Sequence, residues 1–598
     1  MDAGGLRSYG FSYDYETLSM IWLFTIYYRK NGFVSFASAA VVAMILCTAP
    51  AVGAFEDFQP AALDYAGIYS LWETDPALAG HGVTIAAVCR SFTYLQNIPL
   101  NDYRLNMQHQ CFSDSNVGFV DGLGLEPGIS EHSTAIGAVL VGRDPNAYHP
   151  QLGYFQYAGA APEVQLDVYE FWRFIVNHVF GGKPLEADIL TMSVGSAFDD
   201  WWTRGINHIA DANGLIVVAS VGNGSDVFDP PLYPGAGANV IGVGVVDSVK
   251  TDKLSRNLSE FSLPHAEHSS IGPTYDRRCK PDIVAGGNCV VPDANSNSRY
   301  VITGDWSSFA APIVAGTTSL LVQKAKSEPA LYPAVAPDGG NCVIKAILMN
   351  SAAKLPYWHK GAADKADDHY VSLDYIQGAG VLNAQGAYEQ LVAGQGPAGD
   401  AGPIGWDNST IENTGSGANV YRFRMPEIHD KLITATLVWN RHYEDRYPFA
   451  ALTEADSDLR LELWAVDPND PEAGYLLDYS DSISDNVEHI YCAADPNYST
   501  YELIVTFSNP ADSDVLNPAL ERYGLAWRTD EADTTENIYW YDLNYDGSID
   551  VMDFTTLLKN LNSPADTEAG YLLGDINMDG MIDIKDVVIL MEHMSPKS

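Results

Sequence analysis

The chain has few cysteines and few cations. It holds 7 cysteines in 598 residues. That is too sparse for a disulfide-built scaffold, and none stands at a zinc-binding spacing. Lys and Arg number 33 against 77 Asp and Glu, a net charge of −44. Such a surface repels phosphate backbones and anionic headgroups, which excludes nucleic acid and acidic lipid as partners. Long apolar runs are also missing, apart from one between Phe33 and Val52, and no repeat is visible before the C-terminal segment. Charged residues make up only 18% and hydrophobic residues 46%. The composition is therefore that of a folding chain and not of an acidic disordered one, with length for roughly four domain-sized units.

The one apolar run follows Arg29 and Lys30 and ends at Val52-Gly53-Ala54. A basic start, an apolar middle and a small-residue exit describe a secretory signal peptide. Residues 1–54 are expected to be an N-terminal extension and signal, and the mature protein secreted or on the cell surface. The rival is an uncleaved anchor, since the run approaches the length of a membrane span. Cleavage leaves no other stretch long enough to cross a bilayer. It also removes Cys47, leaving Cys89, Cys111, Cys279, Cys289, Cys342 and Cys492. Six cysteines in an oxidising compartment allow 15 full pairings, among which sequence does not choose.

Two stretches read as linkers: AGQGPAGDAGPIG (393–405), with no apolar period, and the acidic TDEADTTEN (529–537). They divide the chain into blocks at 55–392, 406–530 and 538–598. In the first block, Val83–Val88, Gln165–Tyr169, Ile189–Ser193, Leu215–Ser220 and Val240–Val246 are short Val/Ile-rich runs between helix-compatible stretches. That pattern predicts an α/β domain with a mainly parallel sheet buried on both faces. In the second, Leu432–Trp439, Leu459–Trp464 and Tyr501–Phe507 are β-rich runs separated by Asp, Asn and Pro turns. They predict an all-β sandwich.

Three residues of the first block are of the types that acyl transfer uses. Ser308 precedes Phe-Ala-Ala-Pro, small residues suited to a helix whose start packs closely on a neighbour. His132 opens another probable helix, and Asn223 follows a buried-looking strand. Acyl transfer needs a nucleophile, a base for its proton and a donor for the oxyanion. Taken singly, each is an ordinary cap, core or turn residue. Together, SSFAAPIVAG (307–316), HSTAIGAVLVG (132–142) and VVASVGNG (217–224) resemble the nucleophile, histidine and oxyanion-asparagine motifs of subtilisin-like serine proteases, the subtilases. AAPEVQL (160–166), ADILTMSVGS (187–196), RRCKPDIVAGG (277–287), IKAILMNSA (344–352) and QGAGVLNAQGA (377–387) extend the resemblance in the right order. It implies Ser308 as nucleophile, His132 as general base, and the Asn223 side chain with the Ser308 N–H as oxyanion hole. Peptide substrate would lie along Ser193-Val194-Gly195 as an added strand. ATLVWNRHYE (435–444), DSDLRLELWAV (456–466), SDNVEHIY (484–491) and YGLAW (523–527) are similar to the β-sandwich that follows many subtilase domains. Its expected role is packing.

The sequence departs from the family at two places. Trp306 and Ser307 replace the usual Gly-Thr before the nucleophile. GHGVTIAAV (80–88), similar to the strand that leads into the family's catalytic Asp, leads here into Cys89. That acid orients the histidine and stabilises the imidazolium. Its loss costs about 3 × 10⁴ in kcat, about 6 kcal/mol at about 1.36 kcal/mol per tenfold. A neutral thiol accepts hydrogen bonds weakly. A thiolate replaces the charge if His132 or Arg90 lowers its pKa, Asp102 or Asp121 replaces it if either reaches the ring, and a disulfide from Cys89 to Cys111 removes the thiol altogether.

The C-terminal block carries two calcium-type loops. Asp542, Asn544, Asp546, Asp550 and Asp553 place side-chain oxygens at positions 1, 3, 5, 9 and 12, the Ser548 carbonyl falls at position 7, and Gly547 permits the turn. Asp575, Asn577, Asp579, Asp583 and Asp586, with the Met581 carbonyl, repeat the pattern. Asp instead of Glu at position 12 and a helical run after each loop resemble the type I dockerin. The resemblance implies Ca²⁺ as cofactor and a cohesin-type scaffold as partner. The residues at loop positions 10 and 11, Val551-Met552 and Ile584-Lys585, differ from the small polar pairs common there.

The expectation is a secreted, calcium-binding serine endopeptidase tethered by its dockerin. The alternative is a pseudoprotease that binds peptide without turnover, because Cys89 stands at the acid position. A third reading, a cell-surface structural module, predicts neither turnover nor peptide binding.

Overall fold

A computed structural model describes residues 58–531 and 551–593, apart from 91–93, 96–97, 100–101, 123–126, 198–199, 225–229, 249–260, 263, 266, 356–357, 362–368, 415–416, 426–430, 453–456, 468–469, 509–518, 565, 568–569, 572–573 and 575–580. The signal-peptide expectation for 1–54 lies outside the described residues. None of the helices described is long and apolar enough to cross a membrane.

The first block is built on one sheet. Its strands are β1 (Thr84–Cys89), β2 (Asn116–Val120), β3 (Gln165–Glu170), β4 (Ile189–Met192), β5 (Ile216–Ser220), β6 (Ile241–Ser248), β7 (Phe261–Ser262) and β8 (Ile283–Gly286). The order is β7-β6-β5-β4-β1-β3-β2, with β8 also pairing β6. All pairs are parallel except β6 with β7. Parallel strands need crossover connections, usually helices, and these cover both faces. That explains the continuous Val/Ile runs: every residue of β4, β5 and β8 is buried.

Helices α1 (Glu131–Val141), α2 (Asp200–Asn213), α3 (Ser307–Ser327), α4 (Gly340–Asn350) and α5 (Ala384–Ala393) complete the block. Small residues set how closely they pack. A Cβ at Gly316 of α3 would collide with Ala160, and one at Gly137 of α1 with Leu105. The KPDI segment has a buried electrostatic role. Asp282 pairs with Lys280, accepts from Lys345 of α4 at 2.9 Å and accepts from the Gly242 N–H at 2.6 Å, which ties β8 to β6 and α4. A buried carboxylate between two ammonium groups satisfies charges that would each be costly alone.

The second block has strands β9 (Gly405–Glu412), β10 (Ala418–Arg424), β11 (Lys431–Trp439), β12 (Leu459–Asp467), β13 (Asp470–Ser480), β14 (Val487–Ala493), β15 (Thr500–Phe507) and β16 (Leu520–Glu531). One sheet runs β9-β16-β11-β14 and the other β10-β15-β12-β13, with the short strand Gly399–Asp400 beside β10. The inward residues of both sheets, among them Trp439, Leu461, Tyr501 and Trp527, form one buried cluster. The period-2 burial of β12 and β15 is the signature of a sheet with one face on a core. The Gly/Pro-rich stretch 393–405 is held against this block: Gly399–Asp400 pairs with Tyr421 and Arg422, and the Gly396 N–H donates to the Trp406 carbonyl.

The two blocks share a tight seam. All of α4 is buried, and a Cβ on Gly524 of β16 would lie 2.5 Å from the Val343 nitrogen. His442 bridges Asp211 of α2, at 2.7 Å, and Glu521 of β16, at 3.3 Å. In the C-terminal block, α6 (Val551–Asn560) and α7 (Ile584–His593) follow the two loop sequences, as expected.

Candidate active site

Ser308 is the second residue of α3, and the helix carries Pro312 four positions later. Proline has no N–H, so the Ser308 carbonyl loses the partner that residue i+4 normally supplies. The Ser193 hydroxyl takes that place, donating to the Ser308 carbonyl at 2.8 Å. Ser193 follows β4 directly, so this bond joins the expected substrate segment to the turn that bears Ser308.

Asn223 meets the same turn from the end of β5. Its Oδ1 accepts from the Ser307 N–H at 3.0 Å and from the Ser307 hydroxyl at 2.8 Å. A backbone N–H only donates, so the atom facing it is the amide oxygen. The planar amide then presents its NH₂ on the other side. The first N–H groups of a helix have no acceptor within the helix, and the Ser308 N–H is one of these. The arrangement can hold an anion beside Ser308. The backbone of Trp306 packs on Gly287, where a Cβ would lie 2.5 Å from the Trp306 carbonyl oxygen. The indole itself is partly exposed.

His132 sits in the first turn of α1. Ser130 caps this helix, accepting from the Ser133 N–H at 3.2 Å, and Thr134 donates back to the Ser130 carbonyl at 2.7 Å. The His132 ring lies 6.1 Å from the ring of Phe309, the residue after Ser308. Burial pushes the imidazole down to about 4, and no carboxylate contributes to that shift. At neutral pH the ring is uncharged and able to accept a proton.

Cys89 closes β1 at 2% exposure. Burial pushes its thiol up to about 11. The thiolate alternative is therefore closed at neutral pH, and Arg90 lies over the Phe171 ring, not beside the sulfur. The disulfide alternative is also overturned: Cys89, Cys111, Cys279, Cys289, Cys342 and Cys492 are all free thiols, five of them buried. The five buried thiols serve as small apolar side chains. Asp121 is occupied by Arg104, at 2.9 Å, and by Tyr103. Asp102 sits in a short strand opposite Gly128. The residue in register with Cys89 on β3 is Glu170, which the motifs do not flag. Its carboxylate caps the next helical turn, accepting from the Trp172 and Arg173 N–H groups at 3.1 and 2.8 Å.

Ser193 and Val194 are buried and Gly195 is exposed. Ser196 then bridges to Tyr233. The motifs mark Ser307 only as a departure from the family; its hold on Asn223 and the Ser193–Ser308 contact are not read from them, although Pro312 is a sequence signal that the Ser308 carbonyl needs an outside donor.

Of the calcium-type ligands, Asp542, Asn544, Asp546, Ser548, Asp550, Asp575, Asn577 and Asp579 lie outside the described residues, and Asp553 is placed by its backbone alone, in α6. The rest of the second loop is all oxygen. Asp583 is half-buried beside the Met581–Ile582 strand, its N–H donates to Asp586 Oδ2 at 2.7 Å, and Asp586 is fully buried in the first turn of α7. Two carboxylates three residues apart, one of them buried, are hard oxygen donors of the kind a divalent cation such as Ca²⁺ takes.

Residues 96–387 match the model of the subtilase family, and residues 540–595 that of the dockerin type I domain. The major intracellular serine protease of Bacillus subtilis is 27% identical over 231 residues, 36% of this chain and 63% of that protein. Serine protease AprX of the same organism is 26% identical over 264 residues, 38% of this chain and 52% of that protein. The chain thus spans about half to under two thirds of these relatives. Among solved structures, the self-cleaved protease domain of PatA matches with a TM-score of 0.36 and 19% identity, covering 53% of this chain and 99% of that one. A serine protease of Aeromonas sobria matches at 0.38 and 13% identity, covering 76% and 88%. The chain carries a subtilase-family domain over residues 96–387 and a dockerin type I domain over residues 540–595.

Proposed function

We propose that this protein is a secreted serine endopeptidase of subtilisin type, slowed by the loss of its triad acid and tethered through its dockerin. The observation that carries the reading is the two-point hold of Ser307 on Asn223 Oδ1, which fixes the Asn223 amide at the start of α3 and leaves its NH₂ free of that contact. Ser308 Oγ attacks the peptide carbonyl as His132 takes its proton. The oxyanion is stabilised by the Asn223 side chain and the Ser308 N–H. His132 then protonates the leaving amine, and water releases the acyl group by the same steps in reverse. The substrate strand lies along Ser193-Val194-Gly195. The weak step is charging His132, because burial favours the neutral ring and no carboxylate contributes to its shift.

That last observation also favours a second reading, a peptide-binding pseudoprotease. Labelling of the purified protein with a fluorophosphonate serine probe in calcium separates the two. Labelling that disappears in Ser308→Ala supports the enzyme; no labelling of folded protein sinks it.

We infer domain limits at 55–392, 406–530 and 538–598. Ca²⁺ would be held in the second loop by Asp575, Asn577, Asp579, Asp583, Asp586 and the Met581 carbonyl, and in the first by the corresponding set from Asp542 to Asp553. The ion supplies the charge that holds each loop closed. Ile584, Val588 and Met591 are exposed at helical spacing on α7, an apolar stripe suited to a cohesin-type partner.

A further inference from the structure

We propose that Asp247, His268 and Asp305 form a binding site for one divalent transition-metal ion of the Zn²⁺ class, bracing the segment that leads into Ser308. Asp247 lies near the end of β6, His268 in a turn after β7, and Asp305 just before α3. One ligand atom from each falls within 4.8 Å of the others. Zinc with N and O ligands at about 2.0–2.2 Å holds them roughly 3.5 Å apart. Small side-chain rotations therefore close the set.

The cluster is not a satisfied ion pair. His268 Nδ1 meets Asp247 Oδ1. Asp305 is 3% exposed. Its Oδ2 accepts from the Ser248 hydroxyl at 3.1 Å, and Ser248 is in turn held by Asn288 Nδ2 at 3.3 Å. Asp305 Oδ1 is buried with no hydrogen-bond partner among the described residues, and so is Asn288 Oδ1. A buried carboxylate oxygen left without a donor is costly, and a cation is the natural partner. Burial and the nearby Asp247 charge both push the Asp305 carboxyl above its usual range, with His268 opposing them only weakly. A dication between the two carboxylates would remove that repulsion.

The donor set selects the ion. Calcium takes six to eight oxygens. One imidazole nitrogen with two carboxylates suits zinc or manganese instead. The Asp247 and His268 side chains are 19% and 29% exposed, which leaves an entry path and a position for water. The site also touches the active-site segment. The Trp306 ring lies edge-on to His268 at 6.1 Å, and Trp306 caps α3 between Asp305 and Ser308. Occupation would fix residues 305 and 306 against β6. Metal binding is independent of whether Ser308 is active.

The test is calorimetric titration of the full-length mature protein with Zn²⁺ in constant saturating Ca²⁺, which occupies the dockerin loops. One Zn²⁺ should bind, and His268→Gln and Asp305→Asn should each weaken it by about tenfold or more. Co²⁺ in place of Zn²⁺ should give visible absorption bands that His268→Gln removes. Bound Zn²⁺ should also protect His268 of the unaltered protein from diethylpyrocarbonate, read by peptide mass, which needs no variant to fold. No Zn²⁺ bound beyond the calcium loops, the same affinity in both folded variants, or unprotected His268 at saturating Zn²⁺ would each overturn the proposal.

Discussion

Placing an acid at residue 89 tests the proposal that this is the position of the missing triad acid. Cys89→Asp places a carboxylate where a buried neutral thiol stands. The largest available gain is what losing the acid costs, about 3 × 10⁴ in kcat or about 6 kcal/mol. Part of it is lost again, because a carboxylate at 2% exposure must give up its water, several kcal/mol unless it is paired and hydrogen-bonded. The Ser133 hydroxyl, buried without a hydrogen-bond partner among the described residues, and His132 on the same turn are the candidate partners. The expected net gain is roughly 10²–10³ in kcat.

His132 reports whether the pair forms. Its value of about 4 against an ordinary 6.5 means that folding favours the neutral ring by about 3 kcal/mol at about 1.36 kcal/mol per unit. Because the folded value is depressed, that contribution is present above pH 6.5 and is lost as pH falls toward 4. A carboxylate partner raises the value and flattens stability across that window. The assays are kcat on a peptide substrate, imidazole NMR titration and denaturant melts from pH 4 to 7. A folded variant whose His132 pKa is unchanged would refute the placement of residue 89 at the acid position. A raised pKa with kcat at the parental level would refute the claim that the missing acid limits turnover.

Three further expectations follow from named contacts. Asn223→Ala should lower kcat by about 10²–10³ with little change in KM, while Ser307→Ala, which keeps the backbone anchor, should cost less; equal losses would mean that the hydroxyl alone orients the amide. Ser193→Ala leaves the Ser308 carbonyl without its donor and should destabilise the fold by about 1–3 kcal/mol in urea titration; an unchanged midpoint would show that water or another group replaces it. His442, held between Asp211 and Glu521, has its pKa raised to about 10 despite burial, so its contribution is fully present below pH 6.5 and lost as pH rises through about 10. His442→Gln should therefore destabilise the protein more at pH 6 than at pH 10.5, and a pH-independent loss would argue that the ring only fills space.

The sequence by itself determined the elements and the order of the motifs. Strands buried on both faces must be Val/Ile-rich, and the runs expected at 83–88, 165–169, 189–193, 215–220 and 240–246 fall within about a residue of β1, β3, β4, β5 and β6. β2 and β8, short strands without such a run or lying inside a longer motif, were not predicted as strands. The helix starts bearing His132 and Ser308 were legible because capping residues and the Ala-Ala-Pro run are local signals. Only the tertiary structure decided who meets whom. The hold of Ser307 on Asn223, the use of Glu170 as a cap, the burial of five free cysteines and the meeting of Asp247, His268 and Asp305 each join side chains from distant elements or depend on what surrounds them. The raised Cys89 and lowered His132 values are of the same kind, since a pKa is set by burial and neighbours, and these exist only once the sheet and its crossovers are assembled.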